Sequence, residues 1–237
     1  MANKKTEKTN APVETGIPGL DKLIGDGIPA GTLNLLAGRC GTGKTTFAMQ
    51  FLYHGAKEKD EPGVYISLEK DPEEIIESMK KFNFDLEELI SKKKLSVIKP
   101  DLSKFDTMKK IIEDEVDRIG AKRLVIDPFT LLTAYFNNIY DARKALADLK
   151  RTMKKLDCTA LAVSDITEGA QTFSSTGFEE FVVDGVIVLD LMLKKDSNAY
   201  VRTLLIRKME QTKHSLKLVP IEITNEGIAV YPDADVF

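Results

Sequence analysis

The chain has 237 residues, a net charge of -3, 30% charged residues and 43% hydrophobic residues. That length suits one α/β domain with a substantial core, and the acidic balance excludes a globally basic nucleic-acid binder. Two cysteines, Cys40 and Cys158, and two histidines offer no metal-ligand spacing, so neither a disulfide scaffold nor a zinc site is expected.

In chain order, Met1-Ala2-Asn3-Lys4-Lys5-Thr6-Glu7-Lys8 lacks the apolar stretch of a signal peptide. No apolar run approaches the roughly 18 to 20 residues of a membrane span. A soluble, cytoplasmic protein with no membrane association is expected. Residues 1–12 read as a flexible, Lys-rich tail, and residues 13–237 as a single domain.

Thr32 to Ala37 reads as a buried strand and Thr46 to Ala56 as a helix. Between them, Gly38-Arg39-Cys40-Gly41-Thr42-Gly43-Lys44-Thr45 satisfies the pattern G-x-x-x-x-G-K-[ST]. Glycines let successive N–H groups turn around a phosphate, and the helix N-terminus adds a positive dipole. Gly38, Gly41, Thr42, Gly43 and Thr46 therefore belong to a nucleotide cradle. Lys44 is placed to reach the β- and γ-phosphates, and Thr45 to ligate Mg²⁺. Within this loop Cys40 reads as a small filler, with a redox switch as the alternative.

Strands and helices then alternate. Val64 to Leu68 is a second strand, followed by a helix entered at Asp71-Pro72, with Asp71 as N-cap. Leu95 to Lys99 is a third strand. Asp106 to Ile119 is an amphipathic helix with Met108, Ile111, Ile112, Val116 and Ile119 on one face. Leu124-Val125-Ile126 is an apolar strand ending at Asp127, and Asp141 to Leu156 is a second amphipathic helix. Ala160 to Ser164 is a further strand. This rhythm predicts a mostly parallel sheet with helices on both faces. Beyond Gly177, Gly185 to Leu191, Tyr200 to Lys208, Leu216 to Thr224 and Ile228 to Tyr231 predict antiparallel strands at the C-terminal edge, with a turn at Lys195-Asp196-Ser197-Asn198.

Ligands of open α/β sheets sit beyond the carboxyl ends of the strands. Three polar residues end strands here. Asp127 fits a Walker B acid that holds Mg²⁺, Glu69 a base for the attacking water, and Ser164 a sensor of the γ-phosphate.

Thr15-Gly16-Ile17-Pro18-Gly19-Leu20-Asp21-Lys22-Leu23-Ile24 and Gly27 to Thr32 resemble the opening segment of KaiC-like proteins in the RecA superfamily. Tyr65-Ile66-Ser67-Leu68-Glu69, Val183-Asp184-Gly185-Val186-Ile187, and the Lys208-Met209 and Thr212-Lys213-His214 steps carry the same resemblance. It extends from Thr15 over nearly the whole chain, and single-domain archaeal and bacterial relatives, RadA paralogues included, are the nearest in form. The resemblance implies a RecA-like P-loop NTPase core, ATP as the nucleotide, and a homo-oligomeric, hexameric ring. In that ring one subunit supplies the P-loop, and its neighbour supplies Lys208 to the γ-phosphate with His214 beside it. A solvated strand charge is the plainer alternative for Lys208.

Several positions depart from the family pattern. Lys70 follows Glu69 where a second Glu is usual, Pro128 follows Asp127 where Ser is usual, and Asp165 follows Ser164. Glu210 and Gln211 replace the Arg and Gly of the K-M-R-G-T-x-H segment. A trans arginine is worth about 10³ to 10⁵ in rate where it acts. Its replacement by a carboxylate predicts a slow ATPase, or a nucleotide-gated binding module that scarcely hydrolyses. Strand alternation sets Lys208 and Glu210 on one face.

A RadA-like accessory role in recombination is a third reading, and autophosphorylation at Thr172, Ser174, Ser175 or Thr176 a fourth. The loop Thr167 to Ser175 has no Lys or Arg for counterion release, which argues against strong DNA binding. Tyr135, Phe136 and Tyr140 leave stacking on single-stranded DNA as an alternative to packing.

Overall fold

The structure is a computed structural model and describes residues 11–100, 105–133, 135–136, 138–167, 169, 172–174, 176–194 and 198–236. Most of the expected tail and part of the expected 195–198 turn lie outside these residues. The strands are β1 (Leu33–Gly38), β2 (Gly63–Ser67), β3 (Leu95–Ile98), β4 (Arg123–Asp127), β5 (Thr159–Asp165), β6 (Gly185–Lys194), β7 (Ala199–Met209), β8 (Val219–Thr224) and β9 (Gly227–Val230). The helices are α1 (Lys44–Glu58), α2 (Pro72–Met79), α3 (Leu86–Ser91), α4 (Phe105–Ile119), α5 (Thr130–Thr133), α6 (Ile139–Leu156) and α7 (Glu179–Val182).

The strands form one sheet in the order β3-β2-β4-β5-β1-β6-β7-β8-β9. The first six are parallel, and β7, β8 and β9 run antiparallel to their neighbours. The sheet is therefore mostly parallel, with its antiparallel edge at the C-terminus, as the strand pattern predicts.

Because successive side chains alternate across a strand, each central strand feeds two cores. Leu36, Tyr65, Val125, Leu161 and Val163 pack with Phe47 and Phe51 of α1 on one face. Leu35, Ile66, Ile126 and Ala162 pack with Met108, Ile112, Leu146 and Leu149 of α4 and α6 on the other. Ile111 and Ile119 fall at the margin of the predicted α4 stripe, half-exposed rather than buried. Phe47 and Phe51 are fully buried, each contributing about 2–3 kcal/mol of apolar burial. They anchor α1, and with it the loop that precedes it.

Local chemistry explains most boundaries. Asn138 caps α6 by accepting from Asp141 N at 2.9 Å, and Asp85 caps α3 by accepting from Glu88 N at 3.0 Å. Asp71 does precede α2, yet its carboxylate accepts from Lys99 Nζ at 2.9 Å and makes no side-chain cap. The expected strand from Leu216 starts only at Val219. Ser215 N bonds Leu23 O and Lys217 N bonds Ser215 Oγ, which diverts those donors from a sheet ladder. A buried arginine ties the sheet to α1. Arg123 Nε donates to Glu61 Oε2 at 2.8 Å and Nη1 to Phe51 O at 2.8 Å. A Cβ at Gly55 would lie 2.2 Å from Arg123 Nε, so this helical position has no room for a larger residue. Among the described residues, no helix is long and apolar enough to cross a membrane.

Candidate functional site

The chain leaves β1 at Gly38, turns through residues 39–43 and enters α1 at Lys44. Gly43 has φ 101°, a conformation that favours glycine, and a Cβ there would crowd Ile223 at 3.1 Å and Ile228 at 3.2 Å. Thr42 Oγ1 donates to Arg39 O at 2.8 Å, closing the turn from within. Two contacts from the β6–β7 hairpin brace the loop outside: Arg39 pairs with Asp190 at 3.2 Å, and Arg202 Nε donates to Gly41 O at 3.1 Å.

Beside the loop lies a cavity of about 310 Å³. Gly41, Gly43, Lys44, Thr45 and Thr46 line it from the loop and α1, and Glu69, Asp127 and Asp165 from the strand ends. The odd-numbered residues of β2, β4 and β5 face α1, which brings Tyr65, Asp127 and Asp165 to this side. Thr45 Oγ1 donates to Asp127 Oδ2 at 2.9 Å, and the buried Tyr65 hydroxyl donates to the same oxygen. Burial pushes the Asp127 carboxyl above the ordinary carboxylate range, against the Tyr65 and Thr45 hydroxyls that pull it down, and the Asp165 charge adds to the rise. Burial, followed by the Asp127 charge, raises the Tyr65 phenol well above its usual value, so it remains a donor. Lys44 Nζ donates to Gly38 O at 2.8 Å and Arg39 O at 2.9 Å, and pairs with Asp165 at 3.1 Å.

The structure thus brings together Gly38, Gly41, Thr42, Gly43, Lys44, Thr45, Thr46, Glu69 and Asp127. Ser164 stands apart. It is fully buried, shares the α4–α6 face with Ala160 and Ala162 by strand alternation, and its Oγ has no hydrogen-bond partner among the described residues. Asp165, one residue on, occupies the cavity side instead. Lys208 and His214 do not line this chain's cavity. Lys208 Nζ donates to Val183 O at 2.7 Å and pairs with Glu210 at 2.8 Å, and His214 Nδ1 lies 3.2 Å from Ser215 O. Lys208, helped by Lys150 at 3.7 Å from Glu210 Oε2, holds the Glu210 carboxyl below its usual range. Tyr65 and Asp165, named in the sequence only as part of a strand segment and as the residue after Ser164, join the site in the structure. Neither residue carries a sequence signal of its own: Tyr65 reaches Asp127 only through the β2–β4 pairing, and Asp165 reaches the loop only through its register with Gly38. The loop Thr167 to Ser175 and the segment around Tyr135, Phe136 and Tyr140 lie partly outside the described residues.

A loop of the P-loop pattern between the central strand and its following helix, with a strand-end carboxylate bonded to the loop threonine, defines a P-loop NTPase fold of the RecA type. The chain belongs to the KaiC ATPase family, whose model matches residues 13–235. It is 38% identical to a UPF0273 protein of Methanocaldococcus jannaschii, over 93% of this chain and 96% of that one. The circadian clock oscillator protein KaiC of Rippkaea orientalis is 33% identical over 98% of this chain, which spans 46% of that protein's length. Among solved structures, a KaiC-like protein from the hyperthermophilic archaeon Pyrococcus horikoshii superposes with a TM-score of 0.84 at 39% identity. That match covers 94% of this chain and 99% of the other.

Proposed function

We propose that this chain is a single KaiC-like domain that binds ATP with Mg²⁺ and hydrolyses it slowly, each nucleotide being held between neighbouring subunits of a hexameric, cytoplasmic ring. The observation that carries the reading is the Thr45–Asp127 hydrogen bond beside Lys44 at the P-loop cavity. The N–H groups of Gly41 to Thr46 cradle the phosphates, and Lys44 supplies positive charge to the β- and γ-groups. A hydroxyl and a carboxylate are hard oxygen donors, which fits Mg²⁺. Bound there, the ion neutralises charge that develops on the transferring phosphoryl group. Glu69 takes a proton from water as its oxygen bonds the γ-phosphorus and the bond to the departing ADP oxygen breaks. Lys208 and His214 approach from the neighbouring subunit.

Hydrolysis is slow because Lys208 arrives already paired with Glu210. The same ion pair favours a second reading, a nucleotide-gated binding module with negligible turnover. Equilibrium ATP binding to wild type and Lys44→Ala tests the shared premise. A loss of affinity of at least about tenfold in Lys44→Ala supports it, on the scale of one charge-assisted contact to phosphate. Equal affinities would remove the P-loop from nucleotide binding.

A further inference from the structure

The Lys44 ammonium is fully engaged within the chain. An ammonium has three donors, and the structure supplies three acceptors: two loop carbonyls and the Asp165 carboxylate. The carbonyls are neutral parts of the loop, so Asp165 is the charged competitor that a phosphate meets. The Lys44 side chain is 10% exposed and that of Asp165 55%, so Asp165 can exchange Lys44 for water at small cost. Its backbone, however, is fixed at the cavity edge. Its Cα is in register with Gly38 on β1, its N–H donates to Thr130 Oγ1 at 3.1 Å, and Ile166 N donates to Gly38 O at 3.1 Å. Once displaced from Lys44, the carboxylate stays beside the loop as uncompensated negative charge.

The rest of the lining compounds this. Glu69, Asp127 and Asp165 face the cavity against Lys44 and Lys70, so carboxylates outnumber cations where a polyphosphate would lie. Asp165 also acts on Asp127, adding to the rise of its carboxyl. Two like charges beside one phosphate chain repel it across a partly desolvated space. A divalent cation offsets that repulsion.

We propose that Asp165 makes the site discriminate against metal-free nucleotide: by engaging Lys44 and adding negative charge beside Asp127, it lets a triphosphate bind well only when a divalent cation accompanies it. The inference rests on the nucleotide-binding reading above and assigns Asp165 as a specificity-determining residue, distinct from the metal-holding pair Thr45 and Asp127.

Calorimetric titration of ATP into wild type, Asp165→Asn and Asp165→Glu, each in excess EDTA and in excess Mg²⁺, tests it. In EDTA, Asp165→Asn should bind ATP about three- to tenfold more tightly than wild type, the scale of one partly screened charge. Its Mg²⁺–ATP affinity should rise less, and Asp165→Glu should keep the wild-type preference. Unchanged metal-free affinity in Asp165→Asn overturns the proposal. So does weaker Mg²⁺–ATP binding with metal-free binding unaltered, which would make Asp165 a metal holder. Should Asp165→Asn not fold, Asp165→Ser is read against the same limits. Wild type that takes up no ATP in either buffer refutes the nucleotide reading and this inference with it. Binding with an unaltered preference refutes this inference alone.

Discussion

Replacing Tyr65 by Phe removes one hydroxyl and leaves the ring, which is 1% exposed, in its packing. The lost group donates to Asp127 Oδ2, an oxygen it shares with Thr45. Hydrogen bonds to charged groups contribute about 1.5–3 kcal/mol. Asp127 keeps some solvent access, which sets the expectation near the lower end, about 1.5 kcal/mol. For a chain of this size that lowers Tm by about 3–6 °C. The effect has a defined pH dependence. The Tyr65 hydroxyl stabilises ionised Asp127 and so holds its pKa lower in wild type than in the variant, although burial raises both. Wild type therefore exceeds Tyr65→Phe fully above both values, and the difference shrinks as pH falls through them. Thermal melts without nucleotide, at neutral pH and at successively lower pH, measure it. A Tm difference that does not change with pH, or no difference at neutral pH, would refute the reasoning.

The remaining predictions concern the frame and the trans face. Arg123→Ala leaves the Phe51 carbonyl and Glu61 without their partner and should cost about 3 kcal/mol in urea unfolding; a loss under about 1 kcal/mol would mean that the pair is structurally idle. Cys40 is exposed on the P-loop, whereas Cys158 is buried with its thiol pushed up to about 12. An alkylating reagent should label Cys40 alone in the native protein, and Mg²⁺–ATP should slow that labelling; native labelling of Cys158 would contradict the burial. Glu210→Arg dissolves the Lys208–Glu210 pair and should accelerate ATP turnover by about tenfold or more, a fraction of what a trans arginine supplies. An unchanged rate would uncouple Lys208 from hydrolysis.

The P-loop was legible because its chemistry is local: glycines, lysine and threonine act within one turn. The parallel core was legible for a similar reason, since β4 reads as an apolar run closed by Asp127. What escaped depends on neighbours. Ser164 and Asp165 are adjacent, and which one meets the site depends on the register of β5 against β1, where a shift of one residue exchanges the faces. Tyr65 reads as ordinary strand filler until β2 is laid beside β4 and its hydroxyl reaches Asp127. Helix α3 has six residues, too few for periodicity to announce it. Arg123 precedes the strand as read from Leu124, and Gly55, Glu61 and the Phe51 carbonyl, all far from it in sequence, make its burial tolerable. Lys208 and Glu210 are the intermediate case. Alternation set them on one face, while the ion pair between them is a fact of side-chain placement.

On the proposed function, the cavity beside Lys44, Thr45 and Asp127 turns over ATP slowly, with Glu69 as the base. Single-turnover hydrolysis with Mg²⁺, comparing wild type with Glu69→Gln at matched nucleotide occupancy, tests it most directly. Wild type should release phosphate slowly and Glu69→Gln at least about a hundredfold more slowly, with ATP still bound, as expected for loss of a general base. Equal rates in the two proteins, or bound ATP that yields no phosphate from either, would contradict it.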